Sequence, residues 1–231
     1  MPISLDPSLP RSLYPLAWLV GTWEGSGALH RPGDESGDRR VEQRLECTPA
    51  DNGTLVWRSE LFVVDEAAPL PPTSVFARED VPAPQQGSGQ RRLLMRERGV
   101  WTVGDPLPGQ DLAAAREAAP GSPAGMLSYG LDVAFDPTTG EDAAAATTWA
   151  GEVRGPRIQL ARRDEVTNRV IETRMAGYIS GRLMWLWERR GAQEGTGVST
   201  GPSTGADANG GGPAWPGEGL IPYLSLELDR A

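Results

Sequence analysis

Short runs of alternating apolar and polar residues recur along most of the chain. In the run from 54 to 64, every second residue is apolar or small: Leu55, Trp57, Ser59, Leu61 and Val63. Arg58 and Glu60 lie between them. A period of two is the pattern of a β-strand with one buried face, so this run is predicted to be a half-buried strand.

Turn signals separate about ten such runs, and each run predicts a strand: 22–29, 41–47, 54–64, 92–103, 126–135, 147–154, 157–163, 169–179, 182–190 and 220–229. The turns at 137–140 and 155–156 are short, which favours antiparallel pairing. Helix is limited to a turn within 13–20, expected to cap a hydrophobic opening, and a turn over 112–119. An all-β chain of this kind is a sandwich or a barrel, and the period alone does not separate the two.

Glycine and proline concentrate between these runs and predict irregular connections. Residues 65–90 and 104–125 are broken by both residue types. The segment 191–219 contains ten glycines and few apolar residues, a composition that cannot offset the entropy of ordering. We therefore predict one domain over 1–231, with 191–219 as a disordered insertion before the last strand.

Charge and residue usage exclude several classes of function. All 22 basic residues are arginine, and the net charge of −9 disfavours nucleic acid. The arginine doublets at 39–40, 91–92, 162–163 and 189–190 are interpreted as solvated strand edges. One cysteine and one histidine cannot form a structural zinc site. The chain begins without a signal-peptide pattern and has no apolar stretch near ~20 residues, so we expect a cytoplasmic protein that does not enter a membrane.

A glycine-rich motif marks the first predicted strand. Residues 21–27 read Gly-Thr-Trp-Glu-Gly-Ser-Gly, a GxWxGxG motif that places Gly21, Trp23, Gly25 and Gly27 on one strand face. Another backbone or a ligand can approach closely at such glycines. With the preceding stretch Pro15 to Leu19, the motif resembles the start of nitrobindins, small barrels related in architecture to fatty-acid-binding proteins.

Three later stretches follow the order of the same family. They are 57–60, then 175–178 leading into 185–189, and finally 220–225. The resemblance covers both ends of the chain well and the middle loosely, and it fails over the glycine- and proline-rich connections. It implies a single antiparallel up-and-down β-barrel of roughly ten strands, lipocalin-like, with a short N-terminal helical turn.

The last strand departs from the family at the residue that matters most for chemistry. In nitrobindins this strand begins Pro-His-Leu, and its histidine is the axial ligand of haem iron, whereas the matching residue is Tyr223. The family's nitric oxide binding and its isomerisation of peroxynitrite to nitrate therefore cannot be carried over. Tyrosinate is a known iron ligand, but ionising a phenol at pH 7 costs about 4 kcal/mol, and the sequence shows no assured cation to offset this cost.

The direction of Tyr223 is also ambiguous. Alternation groups Leu224, Leu226 and Leu228 on the apolar face and turns Tyr223 outward, whereas the resemblance turns it inward. A bulge near the strand start, or a partly polar lumen, would allow the inward direction, which we favour.

Three hypotheses of function follow, and none of them has a catalytic residue in the sequence. The first is a barrel that binds a small hydrophobic molecule without a cofactor, with ligand-binding residues Gly21, Trp23, Gly25, Gly27 and Tyr223. The second is a haem protein resembling a peroxynitrite isomerase and a nitric-oxide-binding protein, with Tyr223 or another ligand on the ferric iron of haem b. The third is a non-catalytic interaction protein acting through 191–219. A homodimer is left open.

The remaining reactive side chains have simpler interpretations. His30 lies in a turn-like context and is interpreted as a surface residue, and Cys47 as a small core or edge residue without an activating base. The sequence contains no nucleotide-binding, serine-hydrolase or zinc-protease motif.

Overall fold

Ten antiparallel strands close into one barrel in the computed structural model, which describes residues 8–31, 37–68, 87–119, 122–140, 145–190 and 219–231. Each strand pairs with its neighbours in the chain, and the first strand pairs with the last. This is the predicted all-β up-and-down barrel. The strands are β1 (Gly21–Leu29), β2 (Arg39–Pro49), β3 (Leu55–Ala67), β4 (Arg91–Pro106), β5 (Ser128–Gly140), β6 (Thr147–Arg154), β7 (Arg157–Arg163), β8 (Val170–Ile179), β9 (Arg182–Arg190) and β10 (Leu220–Arg230).

One end of the barrel, which we call the capped end, is covered by a 3₁₀ helix at Arg11–Leu16. Leu13, Leu16 and Leu19 are fully buried beneath it. The indole N–H of Trp23 donates a 2.8 Å hydrogen bond to the carbonyl of Leu19, which ties the cap to β1. The helical turn predicted from the sequence is therefore present, and it covers an apolar opening as expected.

Two other short helices lie between β4 and β5. The helix α1 (Leu112–Glu117) begins at Asp111, whose carboxylate accepts hydrogen bonds from the N–H groups of Ala113 and Ala114. A 3₁₀ turn at Pro123–Gly125 follows. Among the described residues, no helix is long and apolar enough to cross a membrane.

Some predicted boundaries differ from the structure. The turn predicted at 137–140 is wrong, because β5 continues to Gly140 and pairs there with Met95 of β4. Pro137 fits within the strand because the pairing shifts register between Arg96 and Glu97, and a bulge tolerates proline. The predicted disorder at 191–219 falls outside the described residues, except at Gly219.

Aromatic rings fill much of the barrel interior. Contacting rings lie 4.9–6.4 Å apart between centroids, within the range of favourable aromatic contacts. The group consists of Trp185, Trp57, Trp101, Phe135, Trp149, Trp187 and Tyr223. The end opposite the cap, which we call the far end, contains Leu29 of β1, the start of β2 and Tyr223 of β10.

Candidate functional site

A β-bulge at the far end sets the direction of Tyr223. The pairing of β10 with β9 shifts register between Pro222 and Leu224, so Tyr223 is an extra residue in the ladder. Both Tyr223 and Leu224 are buried, at 8% and 2% exposure. Strict alternation would place one of them outside, and the bulge is the physical reason that both pack inside.

Side chains of β9 hold the Tyr223 ring in place. The Trp187 ring meets it edge-on with centroids 5.1 Å apart, and the guanidinium carbon of Arg189 lies 3.7 Å from its centroid. On the other side of β10, the backbone N–H of His30 donates a 2.9 Å hydrogen bond to the Tyr223 carbonyl. Tyr223 therefore lies between β9 and the end of β1, with a cation over its ring.

Charged side chains from β7, β8 and β9 surround this position. Glu172 pairs in register with Arg189, and Arg174 with Trp187. Glu172 accepts hydrogen bonds of 2.9 and 3.3 Å from Arg162, while its oxygen lies 3.6 Å from Nε of Arg189. We refer to Arg162, Glu172, Arg174, Trp187 and Arg189 as the far-end cluster.

Deeper in the barrel, Arg174 forms a buried ion pair with Glu97 of β4. Two 2.7 Å hydrogen bonds join the guanidinium and carboxylate, and the two side chains are only 4% and 3% exposed. The Arg174 guanidinium also lies 3.9–4.7 Å from the ring centroids of Phe135, Trp149 and Trp187. The cation is thus neutralised by Glu97 and enclosed by aromatic faces.

The residues of the glycine motif and Tyr223 lie at different positions along the paired strands β1 and β10, with Gly27 beside Leu226. Trp23 pairs with Arg230 at the capped end, whereas Tyr223 is seven residues earlier in β10, roughly 23 Å along a strand. At Gly25 and Gly27, an added Cβ would lie 2.1 and 1.8 Å from backbone oxygens of β10. The sequence left open whether a backbone or a ligand approaches these glycines, and the structure places the β10 backbone there. The structure therefore does not bring the five predicted site residues together.

Gly21 and the two remaining reactive residues have local roles. Gly21 has a φ of +131° and lies against the Arg230 side chain. His30 is partly exposed at the far end, and its Nδ1 lies 2.7 Å from the Asp38 carboxylate. Cys47 is buried, and this burial strongly raises the pKa of its thiol. The sequence interpretations of His30 and Cys47 agree with these positions.

Sequence reasoning missed the charged residues of the interior. Arg162 and Arg189 were interpreted as solvated strand edges, yet both side chains are 29% exposed and pack toward interior rings. A signal was available for Glu97, because it shares one phase of an alternating strand with Met95, Gly99 and Trp101. A charge in that phase indicates either a buried pair or a functional group.

A second concave surface lies on the outside of the wall. A cavity of about 870 Å³ runs over β6 and β7, with small side chains such as Ala150 and Ala161 beneath it. Its rim is charged through Glu152 and Arg163. It is separate from the surroundings of Tyr223, because those residues do not line it.

Comparison with known proteins finds a family that resembles the first half of this barrel. The family described as "THAP4-like, heme-binding beta-barrel domain" matches residues 12–122, from the 3₁₀ cap to the segment after α1. The chain is similar to this family of β-barrels over those residues.

Bacterial relatives extend the similarity to most of the chain. The "Ferric nitrobindin-like protein" of Beutenbergia cavernae is 29% identical over 80% of this chain and 89% of its own length. The "Peroxynitrite isomerase" of Leifsonia xyli subsp. xyli is 28% identical over 80% and 89%, and that of Kocuria rhizophila 26% over 81% and 87%. The crystal structure of Rv2717c from M. tuberculosis aligns at 12% identity with a TM-score of 0.35, which is too low to support a conclusion.

The far end does not provide a histidine of the last strand that could ligate haem iron. The chain has one histidine, His30, which lies at the end of β1 with Nδ1 engaged by Asp38. On β10, the donor at the position given by the resemblance is the Tyr223 phenol. Within the described residues, no group of three His, Cys, Asp or Glu side chains could hold a metal ion.

Proposed function

We propose that this nitrobindin-like barrel binds a small hydrophobic molecule at the far end, and that it does not hold haem in the manner of its family. The observation that carries the proposal is the position of Tyr223, buried on the inner wall beside Trp187 and beneath Arg189. Aromatic rings with a few polar groups are the usual lining of small-molecule sites. Of the predicted ligand-binding residues, the proposed site retains Tyr223.

The test uses a neutral apolar probe, N-phenyl-1-naphthylamine, whose binding quenches tryptophan fluorescence by energy transfer. We expect saturable binding to the unmodified protein. Tyr223→Asp should weaken it at least tenfold, because the ligand would then displace water from a charge. The matched control is Ser225→Asp, on the exposed face of the same strand, which should bind as the unmodified protein does. Absence of saturable binding to the unmodified protein would rule out the proposal.

A haem protein with Tyr223 on ferric iron is the second candidate. Two observations favour it: the haem-binding description of the family, and the Arg189 guanidinium over the Tyr223 ring. A nearby cation lowers the free energy needed to ionise a phenol, and the sequence alone had shown no such cation. Haem, when bound, would supply a ferric iron, and Tyr223 would provide its protein oxygen ligand.

Hemin titration followed by absorbance separates the two candidates. Under our proposal, the unmodified protein binds hemin weakly and Tyr223→His binds it much more tightly, because a neutral imidazole has no ionisation cost. Tight binding by the unmodified protein that is lost in Tyr223→Phe would instead support the second candidate. His30→Ala is the control for ligation by the single histidine.

A further inference from the structure

We propose that the ligand bound at the far end is an amphipathic organic anion, whose carboxylate is recognised by Arg189 together with the indole N–H of Trp187. This inference rests on the proposed function and adds the chemical class of the ligand. It starts from hydrogen-bond donors in the far-end cluster that have no acceptor.

Three buried N–H groups of the cluster donate no hydrogen bond to a described residue. They are Nε of Arg174, Nε1 of Trp187 and Nε of Arg189, and no described residue accepts a hydrogen bond from any of them. The guanidinium carbons of Arg174 and Arg189 lie 3.9 and 4.1 Å from the Trp187 centroid, so the three donors are grouped around one ring. Buried donors are normally satisfied, so these three N–H groups are available to an acceptor that the described residues do not supply.

The charges of the cluster indicate that the acceptor is negatively charged. Arg174 is neutralised by Glu97, and both oxygens of Glu172 already accept from Arg162. Among the described residues, the carboxylate beside Arg189 is that of Glu172, with an oxygen 3.6 Å from Nε. Three arginines therefore face two glutamates, an excess of one positive charge in a chain whose net charge is −9. A local cationic excess inside an acidic protein favours a bound anion.

The neighbouring surfaces indicate that the anion is the polar head of an apolar molecule. The Arg189 side chain is 29% exposed, whereas its Nε and the rings of Trp187 and Tyr223 beside it are buried. A carboxylate matches the planar fork of a guanidinium, and an attached hydrocarbon would contact the rings. An inorganic anion would use the donors but not the aromatic surface.

The experiment compares decanoate with decanol, which share a chain and differ in the head group, in competition with N-phenyl-1-naphthylamine. We expect the unmodified protein to prefer decanoate by about tenfold or more, the scale of one charge-assisted hydrogen bond. Arg189→Met should remove this preference, and Trp187→Phe should reduce it. Arg44→Met, on the exposed outer wall, is the control and should keep it.

Glu172→Gln is expected to raise the affinity for decanoate, the opposite of the effect of Arg189→Met. Removing this carboxylate increases the positive excess beside Arg189, so decanoate affinity should rise while decanol affinity stays constant. A purely structural role of Arg189 would not predict such a gain, and circular dichroism of each variant verifies the fold.

The outcomes separate the two proposals. Equal binding of decanoate and decanol would overturn the carboxylate inference and leave the proposed function standing. Binding of neither ligand, nor of the probe, would overturn both. Competition by acetate as strong as that by decanoate would also overturn the inference, because the site would then recognise a small anion without an apolar chain.

Discussion

Glu97 and Arg174 place two opposite charges inside the barrel, where an isolated charge is costly. Their bidentate 2.7 Å contacts and the three rings around the guanidinium compensate much of that cost. Each side chain is therefore tolerated only because the other is present.

This dependence predicts the effect of single and double substitutions. Arg174→Met should lower the free energy of unfolding by about 3–5 kcal/mol, because Glu97 is left as an uncompensated buried charge. Adding Glu97→Leu should restore most of the loss. Arg96→Met removes an ion pair with Glu60 on the exposed wall and should cost about 1 kcal/mol or less. Urea unfolding measures all three, and a double variant no more stable than Arg174→Met would contradict the explanation.

Single residues also mark the limit of sequence reasoning at the site. The identity of Tyr223 was noted from the sequence, but its direction depends on a bulge that alternation does not reveal. Arg189 shows the same limit, since a doublet at a strand end is usually solvated. Its contact with Tyr223 arises only when β9 and β10 pair with shifted register.

At the scale of elements, β1 and β10 make a close backbone contact that closes the barrel wall. Gly25 and Gly27 approach the β10 backbone so closely that a Cβ at either position would overlap a carbonyl oxygen. The sequence predicted ten strands because alternation is local. Alternation alone could not predict which strand would lie against these glycines, because β1 and β10 are distant in the chain. The up-and-down barrel implied by the resemblance does place the first strand beside the last.

Gly27→Ala tests the need for this close approach. The new Cβ would lie 1.8 Å from the Ser225 oxygen, so the two strands must separate or lose hydrogen bonds, and we expect a loss of stability of about 2 kcal/mol or more. Gly104→Ala in β4 is the matched control, since its Cβ would meet its nearest atom at an ordinary 3.6 Å. Thermal unfolding compares the two, and similar melting temperatures would mean that β1 and β10 can move apart at little cost.

For the molecule as a whole, closure of the barrel joins the two most distant strands of the chain. Every other strand pair connects neighbours in sequence, often through a short turn, as in the β6–β7 hairpin at Gly155-Pro156. Pairing β1 with β10 restricts a loop that contains nearly the entire domain. The entropy of closing a loop increases with its length, so this pair of strands should be the most costly to bring together.

Engineered disulfides can measure that cost. Ala28→Cys with Ser225→Cys would link paired residues of β1 and β10 and enclose residues 28 to 225, whereas Glu152→Cys with Gln159→Cys would link β6 and β7 around residues 152 to 159. Chain entropy predicts that the first bridge stabilises the protein by about 3 kcal/mol more than the second. Urea unfolding of each variant, oxidised against reduced, gives both increments, and buried Cys47 should not interfere. Equal increments would mean that β1 and β10 already lie close together in the unfolded chain, and that closing the barrel is not its most expensive step.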